Sequence, residues 1–254
     1  MIVQYFSGER RDPVKPGKII AVSLFGYIIY LGMRFFNMMN PGSPQRLKLA
    51  QENIPSASEQ RADNLWAYYL INAENPLDSD FTVGLDKVQD SFMLDERCAG
   101  YARQMIADAK NDGIELTVVS AYRSVQKQQE NLESYTQRLM SLGHSSTEAR
   151  KLAEKEIALP YTSEHNAGLA LDILTPDWWE THDDVTVDFE NTEQFRWLSE
   201  NAHKYGFILR YPREYEDVTG IVYEPWHYRF VGVYYANEIR ESGLPLEYFY
   251  KTHF

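Results

Sequence analysis

Three short segments of this 254-residue chain carry residues able to do chemistry. They are 120–123 (SAYR), 163–172 (SEHNAGLALD) and 224–229 (EPWHYR). Asp172 stands among Leu169, Ala170, Leu171, Ile173 and Leu174, and a carboxylate buried in such company needs a strong partner. A metal ion is one such partner, and a cationic side chain is another. His165 and His227 with Asp172 make two imidazoles and a carboxylate, the donor set of a catalytic zinc site with its fourth position open. Spacing alone does not bring the three together, because His-x6-Asp is not a general zinc motif. A lone histidine is usually a surface or satisfied core residue. His144, His182, His203 and His253 lie outside these segments and stay out of the expected site.

The elements that must position these groups follow from periodicity. Apolar residues Cys98, Tyr101, Ala102, Met105, Ile106 and Ala109 predict a helix over 95–111, with Asp95 as N-cap and Gly113 as stop. Residues 114–122 (IELTVVSAY) read as a strand, as do 168–174, 207–211 and 221–231. Helices are expected over 124–142, 146–158, 192–205 and 233–242, the second opened by a Ser145/Glu148 capping box. Strands and helices mix without regular alternation, so the fold class is α+β, a small mainly antiparallel sheet flanked by helices. There is no Gly-rich phosphate loop.

Composition limits the classes of function. Hydrophobic residues make up 44% and charged residues 24%, an ordinary globular balance. The net charge is −12, and the first forty residues carry five basic and two acidic side chains, so the remaining 214 hold −15. That charge repels phosphate backbones, and no nucleic-acid partner is expected. The single cysteine, Cys98, excludes an intramolecular disulfide and a Cys-rich metal site. Residues 19–33 (IIAVSLFGYIIYLGM) are free of formal charge and follow Arg10, Arg11, Lys15 and Lys18. With Arg34 snorkelling and Phe35, Phe36, Met38 and Met39 added, the segment approaches the ~20 residues that span a bilayer. The expectation is a cytoplasmic tail (1–18), an anchor helix (19–39), a linker with short helices (40–74) and an outward-facing catalytic domain (75–254). A cleaved signal peptide and a buried core helix are the alternatives.

The three segments together resemble the VanY-type D-alanyl-D-alanine carboxypeptidases. That family carries Ser-x-Tyr-Arg, Ser-x-His-x-x-Gly-x-Ala-x-Asp and Glu-x-Trp-His elements in this order. Here they stand as Ser120-Ala-Tyr122-Arg123, Ser163-Glu-His165-Asn-Ala-Gly168-Leu-Ala170-Leu-Asp172 and Glu224-Pro-Trp226-His227. Flanking stretches agree as well: Asn75-Pro76-Leu77, Met93-Leu-Asp95-Glu-Arg97, Tyr205-Gly-Phe-Ile-Leu-Arg-Tyr-Pro212 and Thr219-Gly220. The similarity covers roughly 75–245. One departure is Tyr215, where many relatives are expected to carry a lysine near the cleft rim.

The resemblance implies that His165, Asp172 and His227 bind Zn2+ and that Glu224 is the general base; Glu164, beside His165, is the next candidate for the base should Glu224 not serve. It implies that Arg123 polarises the scissile carbonyl or holds a substrate carboxylate. Ser163 would bond the substrate backbone, and Gln128 would help line the same pocket. The implied activity is removal of the terminal D-alanine from peptidoglycan stem peptides by a membrane-anchored enzyme, with no obligate protein partner. L,D-carboxypeptidase action on tetrapeptide stems and a non-catalytic wall-binding relative are the alternatives. Free D-Ala-D-Ala cleavage and a secreted lytic endopeptidase fit less well with an anchor.

Overall fold

The computed structural model describes residues 65–253. The expected tail and anchor, and residues 40–64 of the expected linker, lie outside the described residues. No described helix is long and apolar enough to cross a membrane.

The fold is α+β. A hairpin of β1 (Leu85–Gln89) and β2 (Phe92–Asp95) precedes the first long helix, α1 (Ala99–Asn111). β3 (Thr117–Ser120) is followed by a pair of packed helices, α2 (Val125–Ser141) and α3 (Ser146–Glu156). Next come β4 (Ala170–Leu174), α4 (Glu193–Asn201), β5 (Phe207–Leu209), β6 (His227–Phe230), α5 (Val233–Ser242) and α6 (Leu246–His253). Four strands form one antiparallel sheet in the order β3-β4-β6-β5.

Residue chemistry accounts for the elements. α1 buries Ala99, Ala102, Met105 and Ala109, the small and flexible side chains that let it pack against the β1–β2 hairpin. α2 and α3 start on serine caps: Ser124 Oγ accepts from Lys127 N at 3.1 Å and Ser145 Oγ from Glu148 N at 3.3 Å. Every residue of β4 and β6 is buried, as strands in the middle of a covered sheet must be. Leu171, Ile173, Leu174, Phe207, Tyr228 and Phe230 join α1 in the main core. A second cluster of Ile208, Val231, Tyr235, Ile239, Leu246 and Phe249 takes in Tyr68, whose ring stacks on Tyr235 at 3.9 Å.

Several elements are shorter than expected, among them the strand over 114–122 (117–120) and the helix over 192–205, which ends at 201; for two boundaries the physical reason is plain. α1 begins at Ala99, not at residue 95, because the Asp95 carboxylate ends β2 and accepts from Arg97 N and Nε, both at 2.9 Å. The strand expected over 221–231 shrinks to β6. Pro225 and a turn bond from His227 N to Glu224 O (3.1 Å) break its first half.

Candidate metal centre

Asp172 sits in β4, directly opposite His227 of β6 on one side and Ser120 of β3 on the other. Residues paired across antiparallel strands share a face, so the sheet itself brings carboxylate and imidazole together. His165 arrives from outside the sheet, on the short 3-10 segment Glu164–Ala167. That turn closes at Gly168 in the left-handed region (φ 67°), whose N–H bonds His165 O at 3.1 Å. A Cβ at residue 168 would lie 2.8 Å from the backbone nitrogen of Asp95, so only glycine fits there.

One ligand atom from each of His165, Asp172 and His227 lies within 4.8 Å of the other two. His165 Nδ1 bonds the carbonyl of Ala121 at 2.7 Å, which leaves Nε2 as the free lone pair, 3.3 Å from Asp172 Oδ2. His227 Nδ1 lies 3.1 Å from Asp172 Oδ1, and the two imidazole rings stand perpendicular, 4.9 Å apart. Asp172 Oδ1 is buried and, apart from the ion-pair contact with His227 Nδ1, has no hydrogen-bond partner. A buried charged acceptor with so few partners is costly, and a cation between these three side chains would satisfy it. The donor set, all nitrogen and oxygen with no thiolate, suits zinc.

Electrostatics point the same way. Burial disfavours the Asp172 carboxylate, but His165 and His227 outweigh it and hold its pKa well below the usual range. Burial also opposes a charged His227, yet Asp172 and Glu164 prevail and raise it to about 9. His165 is lowered, mainly by burial. The constellation therefore holds one proton on His227 where a divalent ion would place its charge, so metal and proton compete for that position. The Glu224 carboxyl is pushed up to about 8, chiefly by burial, against the opposing pull of His227.

The same cleft, about 310 Å³ in volume, is walled by Arg123, Gln128, Ser163, Glu224 and Trp226. Glu224 Oε2 lies 3.6 Å from His227 Nδ1. Arg123 is fixed by Ser120 Oγ (2.7 Å) and Gln128 Oε1 (2.9 Å), and its Nη2 is 3.7 Å from Asp172 Oδ2. Gln128 is buried on the inner face of α2 and also donates to Ala158 O at 2.6 Å. It lines the cleft chiefly by holding Arg123. Ser163 stands at the start of the 3-10 turn, but its side chain makes no capping bond, so its hydroxyl is not spent on the turn. Tyr215 is not among the cleft-lining residues; its ring meets Tyr248 edge-on at 6.2 Å. Among the lining residues without a role assigned from sequence are Tyr135, whose hydroxyl donates to Glu156 at 2.6 Å, Glu156 itself, and Tyr211, whose ring is 4.8 Å from that of His227.

A family model described as D-alanyl-D-alanine carboxypeptidase (VanY) matches residues 91–233, more than half of the chain. The chain belongs to this family. A D-alanyl-D-alanine carboxypeptidase of Enterococcus faecalis is 35% identical over 202 residues, which cover 80% of this chain and 72% of the relative. The solved structure of VanYB in complex with D-alanine-D-alanine shares 36% identity at a TM-score of 0.67, covering 74% of this chain and 99% of the other. A variant of the VanY D,D-pentapeptidase in complex with Zn(II) superposes with a TM-score of 0.66 at 36% identity, covering 73% and 99%. Within this VanY-family chain, Glu164 is not free to act as the alternative base. Its carboxylate is fully buried, with Oε1 accepting from Arg210 and Arg229 and Oε2 facing His227 Nε2.

Proposed function

We propose that this chain is a zinc-dependent D,D-carboxypeptidase that removes the terminal D-alanine from peptidoglycan stem peptides. The observation that carries the reading is the convergence of His165, Asp172 and His227 around a buried carboxylate, with Glu224 and Arg123 in the same cleft. His165 Nε2, Asp172 and His227 Nδ1 would hold the zinc. Bound there, zinc supplies Lewis acidity, which brings the pKa of water toward neutrality and polarises a carbonyl.

The chain's own groups do the rest. Glu224 takes the proton of the attacking water on its carboxylate and returns it to the leaving amine. Its buried setting keeps that proton from bulk water between the two transfers. Arg123 presents a pre-positioned guanidinium to a substrate oxygen, the scissile carbonyl or the terminal carboxylate. Ser163 offers its hydroxyl to the substrate backbone. The cleft volume lies at the lower end for ligand pockets, which suits the last residues of an extended peptide rather than a folded protein.

Incubating the chain with a pentapeptide and a tetrapeptide stem, followed by mass spectrometry, tests the substrate class. The expected result is loss of one alanine from the pentapeptide alone. Loss from the tetrapeptide alone would replace the D,D assignment with the L,D one, and loss from neither would favour a wall-binding role.

The apolar run at 19–33, preceded by basic residues, supports a single-pass anchor with the catalytic domain on the extracytoplasmic side. There the domain would meet stem peptides beside the membrane. Protease added to intact spheroplasts is expected to degrade the domain. Protection that ends only on lysis would place it inside and remove the substrate from its reach.

A further inference from the structure

Behind His227 lies a buried chain of charges that includes none of the three candidate ligands. Glu164 Oε2 is 3.4 Å from His227 Nε2, on the far side of the ring from Asp172. Glu164 Oε1 accepts from Arg210 Nε at 2.6 Å and from Arg229 Nη1 at 2.7 Å. Arg210 spends its two remaining nitrogens on Glu247, at 3.0 and 2.6 Å, in a bidentate fork. Arg229 is held in turn by the carbonyls of Ala67, Tyr69 and Phe230, at 2.8, 2.8 and 2.9 Å. The side chains of Glu164, Arg210 and Arg229 are fully out of solvent, and that of Glu247 nearly so.

Two carboxylates and two guanidiniums balance in charge, but buried ion pairs are weak evidence for stability. Apolar residues of similar volume often do as well. What this arrangement achieves is direction. Every bond in it fixes the Glu164 carboxylate against one nitrogen of His227. A ring that donates its Nε2 proton to Glu164 presents a bare Nδ1 toward Asp172 and Glu224, which is the form a metal needs. Glu247 stands on α6, and Ala67 and Tyr69 precede β1. All three lie outside residues 91–233, the part that the family model matches. The support of the site is therefore completed by segments beyond the matched region.

We propose that Arg210 and Glu247 are positioning residues for the metal centre. Glu247 on α6 fixes Arg210, Arg210 and Arg229 fix Glu164, and Glu164 orients His227, so the C-terminal helix sets the zinc affinity. The inference rests on the zinc reading of the site.

The test compares the full chain with Glu247→Gln, measuring the zinc dissociation constant by chelator competition and the melting temperature with and without a fixed excess of zinc. A ligand that binds only the folded state raises the melting temperature according to its affinity. In the variant the dissociation constant is expected to rise about tenfold or more, as for the loss of partners that orient metal ligands. The zinc-induced rise in melting temperature should shrink accordingly. A brace with no positioning role would lower both melting temperatures equally and leave the dissociation constant at the wild-type value; that result overturns the inference. Should Glu247→Gln fail to fold, Arg210→Met combined with Glu247→Met leaves neither buried charge alone and is read by the same two outcomes. A wild-type protein that gains no stability from zinc would overturn the zinc reading first, and is recognised before any variant is compared.

Discussion

Glu224→Gln is expected to keep its zinc and its fold while turnover falls by at least about a hundredfold. Glutamine matches glutamate in size, so the backbone bonds of residue 224, to Tyr211 O at 3.2 Å and from His227 N at 3.1 Å, have no reason to change. Only the ability to accept a proton is lost. General acid–base catalysis contributes typically ~10²–10⁴ in rate, or roughly 3–5 kcal/mol of barrier. The cleft contains no obvious substitute. Glu164 has both oxygens engaged by arginines and His227. Glu156 is bonded to Tyr135, and Asp184 is paired with Arg138. Zinc content and steady-state rate, measured on the same preparation, check the expectation. Zinc lost with the carboxylate would make Glu224 a ligand. Zinc kept with near-normal turnover would move the base to Glu156 or Asp184 at the rim.

The parts of the site that sequence made legible are those whose residue types are rare in their surroundings. An aspartate inside Leu-Ala-Leu-Asp-Ile is conspicuous because burying it costs so much, and β4 does bury it, across from His227. Gly168 is legible for a similar reason, since a left-handed turn that presses on the Asp95 backbone admits no side chain. Gln128 was ambiguous because α2 is polar on most of its surface. Its burial depends on the 157–159 segment passing over that face, a contact made thirty residues later.

Other features left no local trace. The β1–β2 hairpin turns at Asp90 (φ 48°), and in β1 only Val88 is buried, so it lacks the alternating apolar pattern that marks a strand. The strand expected over 221–231 was overextended because Ile221, Val222 and Tyr223 look like strand residues. Ile221 and Val222 line the cleft instead, and the Tyr223 ring lies under the Arg213 guanidinium at 4.2 Å. Arg210 stands within a matched flanking stretch but showed no role, and nothing around Glu247 in Leu-Glu-Tyr-Phe-Tyr marks it as buried. Charge networks of this kind are assembled by tertiary packing between residues 37 to 65 positions apart, which periodicity cannot detect.

The most direct test of the account is the metal content of purified protein, compared between wild type, Asp172→Ala and His227→Ala. Wild type should carry about one zinc per chain. Asp172 would be the central ligand of the proposed site: its two oxygens lie 3.3 Å from His165 Nε2 and 3.1 Å from His227 Nδ1, so removing it takes away the only anion among the three. Asp172→Ala should therefore lose zinc and, with it, turnover. His227→Ala should also lose zinc, and it leaves Glu164 buried without its imidazole partner, so its melting temperature should fall as well. Near-stoichiometric zinc in wild type and little in either variant is the predicted result. Full zinc occupancy in both variants would contradict the account, because the metal would then sit somewhere other than between His165, Asp172 and His227.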